Sequence, residues 1–154
     1  EKGAPDLPRM ARSIVIPDLG RMELDIIESD YVDVPAIDLI SSKGNITRDI
    51  NPASVPYTYS TAYETDAFYP QETAFLRDPY IVRSLRGQAI VFQPLQYNPV
   101  ARVLRVYTHI KVRVRENGIS TINPLLRRPP GNSAAREYEY IYGQHFINFS
   151  ITKS

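Results

Sequence analysis

At 154 residues and a formal charge of +1, the chain is sized for one domain and lacks the net basic character of a general nucleic-acid binder. It has no cysteine, which excludes thiol catalysis, zinc–thiolate sites and disulfides within it. Its apolar runs fall short of the roughly 18 residues of a membrane span.

The chain begins at Glu1 with neither an initiator Met nor a signal peptide, so it is expected to be a piece of a longer precursor. The first ten residues, punctuated by Pro5 and Pro8, read as an extended lead-in. Ala11 to Ile16 is a short strand closed by Pro17, with a turn at Asp18-Leu19-Gly20. Met22 to Val34 is a second strand whose apolar phase slips, which predicts a bulge near Ile26-Ile27. Its Glu23 and Asp25 are expected to neighbour a basic strand face. Ser41 to Pro52 is polar, contains Gly44 and ends in Asn51-Pro52, so it predicts an exposed loop or hairpin tip. Residues 53–80 are rich in Pro and Tyr and predict at most an edge strand near Tyr57 to Ser60.

From Leu104 to Arg115 the alternation is strict. Leu104, Val106, Thr108, Ile110, Val112 and Val114 share one face, and Arg105, Tyr107, His109, Lys111, Arg113 and Arg115 the other. A period of two over this length specifies a long half-buried strand. The run Ala89 to Tyr97, closed by Asn98-Pro99, predicts its antiparallel hairpin partner. Residues 116–134 read as a flexible connector in which Arg127 and Arg128 are candidates for processing. A helix is predicted over 134–149, capped by Asn132 or Ser133, with Glu137 at its positive end. Tyr138, Ile141, Tyr142, His145, Phe146 and Phe149 form its apolar stripe. The sum is a single all-β domain over residues 1–154, an antiparallel two-sheet sandwich or jelly-roll-like fold with one C-terminal helix.

Little in this pattern supports catalysis. His109 and His145 are the possible bases, but no nucleophile turn accompanies either, and both read as structural. No carboxylate stands at helical spacing from them, so no metal site is expected. Gly44 and Gly87 are isolated, so no phosphate-cradling loop and no cofactor are expected. Asn45-Ile46-Thr47 and Asn148-Phe149-Ser150 match the glycosylation sequon, a pattern common by chance. The strip Arg105, Lys111, Arg113 and Arg115 reads first as a solvated face paired with acids. Arg48, in a polar loop between Gly44 and Pro52, has the form that a basic-specific protease pocket accepts.

Several blocks resemble the propeptide domain of gingipains, the secreted cysteine proteases of the C25 family. They are Glu1-Lys2-Gly3 with Pro5 and Leu7-Pro8, then Ser42-Lys43-Gly44-x-Ile46-x-Arg48-x-x-Asn51-Pro52, then Asp78-Pro79-x-Ile81-x-Arg83-x-x-Arg86-Gly87-Gln88. Pro94-Leu95-Gln96-Tyr97-Asn98-Pro99, Leu104-Arg105-x-Tyr107-Thr108-x-Ile110 and Ile141-Tyr142-x-x-x-Phe146-x-Asn148 follow in the same order. The resemblance treats the Arg86-Gly87-Gln88 block as a turn. It implies a β-rich prodomain, not itself an enzyme, that docks on its own gingipain-like catalytic domain and keeps it latent during export. The catalytic Cys/His pair would then lie outside this chain, and the setting would be secreted, periplasmic in transit or on the surface of a Gram-negative bacterium. A basic loop residue of such propeptides enters the specificity pocket. The matching position is Arg48, flanked by Thr47 and Asp49, with Lys43 as a secondary contact. The alternative from another class is a non-catalytic carbohydrate- or surface-binding β-module, for which Tyr57, Tyr59, Tyr63, Tyr69, Tyr80 and Tyr97 would supply a stacking platform.

Overall fold

The computed structural model describes residues 1–126 and 135–150. Its strands are β1 (Met10–Val15), β2 (Gly20–Val34), β3 (Ala74–Leu76), β4 (Tyr80–Val82), β5 (Leu85–Phe92), β6 (Leu95–Asn98) and β7 (Val103–Ile119), followed by the helix α1 (Ala135–His145). Among the described residues these strands make two antiparallel sheets. In one, β5 is central, pairing with β1 along one edge and with β3 and β4 along the other; the second runs β2-β7-β6. The chain, read from sequence as one domain, gathers into two compact units. The first is built from Glu1–Arg9, Glu28–Thr73 and Gln93–Ile110; the second from Met10–Ile27, Ala74–Phe92 and Lys111–Ser154, and β2 and β7 contribute to both.

In the second unit the core is Ile14, Ile16 and Ile90, with Met22, Leu24, Leu76, Phe92 and Val114 packed against it. Side chains of both sheets therefore meet there, as alternating strands require. Beside this core lies Arg86, which is 0% exposed. Its Nε donates to Asn123 O at 2.8 Å and its Nη2 to Ile122 O at 2.9 Å. Its Nη1 donates to Pro17 O at 2.8 Å and to Gly20 O at 2.6 Å. Burial pulls its pKa down and the nearby Asp18 charge pushes it back up. One planar fork with several donors thus closes the Pro17–Gly20 turn and anchors the chain beyond β7.

The C-terminal segment docks on the same unit. A Cβ on Gly87 would stand 2.5 Å from Phe146 Cε1, so the ring lies in a space only glycine leaves open. Asn148 then completes the edge of β1: its Oδ1 accepts from Val15 N at 2.7 Å and its Nδ2 donates to Val15 O at 2.9 Å. Its sequon is therefore committed to folding. Tyr80 Oη donates to Ser13 Oγ at 2.6 Å and lies 2.8 Å from His145 Nε2, consistent with a structural role for that histidine.

Several sequence expectations need correction. The run Ala89 to Tyr97 is not one strand. Ala89–Phe92 belongs to β5, and only Leu95–Asn98 pairs with β7, in register Leu95↔Val106 to Asn98↔Val103. Pro94 has no N–H to continue a ladder, and the chain changes sheets there. Arg86-Gly87-Gln88 is strand interior rather than a turn, because the turn of that hairpin sits at Arg83-Ser84, where Arg83 takes φ 53°. No strand forms at Tyr57 to Ser60; short 3-10 turns at Pro52–Ser54 and Thr61–Tyr63 flank that stretch instead. β7 continues to Ile119, so the first residues assigned to the connector are strand. The helix ends at His145 rather than 149. Of its stripe, Tyr142 and Phe146 are buried while Ile141 and His145 are exposed, since the slot at Gly87 admits a narrower face. Glu137 falls in the first turn of α1, whereas the proposed caps Asn132 and Ser133 and the candidate processing residues Arg127 and Arg128 lie outside the described residues.

Candidate functional site

The loop from Ser41 to Val55 belongs to the first unit and is fastened at both legs. On the outgoing leg, Ser41 is buried and bridges to Pro5. Asp6 N donates to Ile40 O at 3.3 Å, Ser42 N to Ala4 O at 2.8 Å, and Gly3 N to Ser42 O at 2.8 Å. On the returning side Ser60 N donates to Gly3 O at 2.8 Å, so the segment Gly3–Asp6 reaches both sides of the loop base. Gly44 sits at φ 79°, where a Cβ would come within 3.0 Å of Lys2 Cβ, so both its conformation and its contact call for glycine.

Above this base the loop closes on itself. Lys43 Nζ donates to Pro52 O at 2.7 Å and stands 4.3 Å from the centre of the Tyr57 ring. Asn51 Oδ1 accepts from Ala53 N at 3.0 Å and starts the 3-10 turn Pro52–Ser54. At the tip, Ile50 N donates to Thr47 O at 3.1 Å, which places Arg48 and Asp49 at the centre of a tight turn. The Thr47 hydroxyl, and then the Asp49 backbone N–H, hold the Asp49 carboxyl below the usual carboxylate range.

Arg48 itself is exposed, and among the described residues it takes no hydrogen bond and no ion pair. The structure thus brings Thr47, Arg48 and Asp49 together at one tip. Lys43, read from sequence as a secondary contact, lies at the loop neck, where its ammonium bonds Pro52 O. Sequence reasoning missed Asn51 as a cap and the bracing segment Gly3–Asp6; the Asn-Pro pair carried the signal for the first, and nothing local carried the second.

In the basic strip of β7, Arg105 and Arg115 are paired with acids. Arg105 Nε and Nη2 reach the two Asp33 oxygens at 2.8 and 2.9 Å, with its guanidinium 3.9 Å from the Tyr31 ring centre and 4.0 Å from that of Phe68. The hydrogen bond to Arg105 holds the Asp33 carboxyl low. Arg115 pairs with Asp25 at 3.1 Å and Glu23 at 3.6 Å, as the acidic face of β2 led one to expect. His109 is exposed on that strand.

Of the candidate platform tyrosines, Tyr59, Tyr63 and Tyr97 meet edge-on, with ring centres 4.8 and 6.5 Å apart, rather than as a flat stacking face. Tyr97 is buried with its Oη donating to Ile37 O at 2.9 Å, and Tyr63 Oη donates to Leu39 O at 2.9 Å. Tyr69 and Tyr80 are half-buried, leaving Tyr57 and Tyr59 exposed. Among the described residues no group of three or more His, Asp or Glu could hold a metal, and no helix is long and apolar enough to cross a membrane.

Comparison with known proteins follows the same line. The chain matches the C25 propeptide family (Propeptide_C25) over residues 1–150. Gingipain R2 of Porphyromonas gingivalis is 40% identical over 156 residues, covering 99% of this chain and 20% of that protein. Lys-gingipain of the same organism is 25% identical over 129 residues, covering 79% of this chain and 7% of that protein. A solved structure described as "Complex of Porphyromonas gingivalis RgpB pro- and mature domains" superposes with a TM-score of 0.87 at 38% identity, over 97% of this chain and 74% of that one. The chain therefore spans about a fifth of the length of gingipain R2. With the match running from residue 1 to residue 150, this chain belongs to the C25 propeptide family, the propeptide domain of gingipain-like cysteine protease zymogens.

Proposed function

We propose that this domain keeps a gingipain-like catalytic domain latent by seating Arg48 in its primary specificity pocket, and that it assists folding of that domain during export to the cell surface or beyond. The observation that carries this reading is an arginine at the apex of a braced loop with its guanidinium uncommitted among the described residues. A pocket that recognises an arginine substrate by charge and bidentate hydrogen bonds accepts the same group from a tethered loop. Tethering raises the loop's effective concentration, so modest affinity suffices until the connection is cut. Residues around the loop would add contact area of the standard size, roughly 800 Å² per partner.

The greater identity to gingipain R2 than to Lys-gingipain, together with Arg rather than Lys at position 48, favours an arginine-specific partner. Asp49, held by the Thr47 hydroxyl, stiffens the turn beside the inserted side chain. The test is to titrate the isolated chain into a mature gingipain-type catalytic domain and follow residual activity against substrate concentration. Inhibition that substrate competes away is the expected result. No inhibition at any excess of the chain would remove the reading.

A further inference from the structure

We propose that Lys43 is a positioning residue for Arg48: by tying the neck of the loop it presets the turn that presents the arginine. This deepens the reading of Arg48 above and rests on it. Lys43 Nζ crosses the neck to Pro52 O at 2.7 Å, so a single hydrogen bond joins residues nine apart in the chain and encloses Thr47–Ile50. The same ammonium lies over the Tyr57 ring, which secures it from the returning leg. Closing so short a segment removes much of its conformational freedom before any partner arrives. Binding then costs less ordering entropy, which is how preorganisation raises affinity without adding a contact. The side chain is half-buried and its solvent-exposed hydrogen bond crosses the loop neck, so the proposed effect on a partner is through the geometry of the tip.

The floor beneath the neck supports the assignment. Gly44, next in sequence, is packed against Lys2, and the backbone of Gly3 bonds both Ser42 and Ser60. With its legs fixed in this way, the span between Lys43 and Pro52 is the part left to close, and Lys43 supplies the closure.

The test is a double-mutant cycle in the full chain, measured as inhibition of a mature gingipain-type catalytic domain. Arg48→Ala is expected to raise the inhibition constant by about thirtyfold or more, as for an interface anchor. Lys43→Met, which keeps the stem and removes the donor, is expected to raise it about fivefold, the size of one net hydrogen bond, with Lys43→Arg restoring most of the loss. The double variant should then be no worse than Arg48→Ala alone, because without the arginine there is nothing to position. A linear peptide covering residues 43–51, which lacks Pro52, should respond alike to Lys or Met at its first position.

Additive losses in the double variant would mean that Lys43 touches the partner directly and would overturn the proposal, as would Lys43→Met inhibiting like the parent. If Arg48→Ala proves neutral, the pocket reading fails on its own account. Amide exchange at Ile50 in the free chain then decides the positioning role: faster exchange in Lys43→Met upholds it, and unchanged exchange overturns it.

Discussion

Arg86 in β5 gives its guanidinium to four backbone carbonyls, while Arg48 at the tip of the Thr47–Ile50 turn gives its own to nothing among the described residues. The two side chains are chemically identical. What separates them is the density of acceptors that the backbone converges on each. Four carbonyls make Arg86 an internal fastener, whereas Arg48 takes no such partner among the described residues, which suits its proposed seat in an outside pocket. A buried arginine is thus read as architecture and a bare arginine on a stiff support as recognition.

The largest effect expected from this contrast is on stability. Arg86→Met should cost about 3–5 kcal/mol in urea unfolding, because four carbonyls, one buried and three part-buried, lose their donor at once. Arg86→Lys should recover little of it, since one ammonium cannot span four acceptors. A loss under about 1 kcal/mol would mean that water replaces the guanidinium and that the contrast is overdrawn.

Gly87→Ala comes next, at about 1–3 kcal/mol, because the added methyl enters the Phe146 ring and must displace it. Limited proteolysis should then release the C-terminal segment first, while the Arg48 loop of the first unit keeps its protection. Asn51→Ala should cost about 0.5–1 kcal/mol through loss of the cap, read in the same unfolding assay and confined to the loop.

Alkali sharpens the comparison from the other side. Burial, then the neighbouring tyrosines, push the Tyr63 hydroxyl up to about 12. A pKa raised on folding gives stability that is whole below the ordinary tyrosine value near 10 and is lost as pH rises towards 12. Tyrosinate absorbance should therefore report a late-titrating hydroxyl, and loosening of Leu39, which Tyr63 holds, should accompany it. Titration of every tyrosine near pH 10 would contradict that packing.

The two regions also differ in how far they could be read from residues alone. The strict alternation from Leu104 to Arg115 was legible as a strand, and from His109 to Arg115 burial does follow every second position, while Arg105 and Tyr107 are half-buried as well. The loop was legible from Gly44 and Asn51-Pro52, which act locally. Arg86 and Gly87 were not, because their roles come from Pro17, Ile122 and Phe146, all remote in sequence. The split of Ala89 to Tyr97 between two sheets hid for a related reason. Each half is a sound strand, and only Pro94 marks the place where pairing must change partners. For the site, position 48 came from resemblance and from the form of its loop. The bond of Lys43 across the loop neck was not legible, since a lysine in a polar stretch gives no sign of a bond to a carbonyl nine residues on.

The most direct measurement is a paired one on Arg48→Ala, comparing its unfolding midpoint and its inhibition of a mature gingipain-type catalytic domain with those of the parent chain. An unchanged midpoint, within about 0.5 kcal/mol, together with inhibition weakened by about 2–4 kcal/mol, is the result expected of an arginine that serves a neighbour and leaves its own fold untouched. Equal inhibition by the two chains would contradict the account.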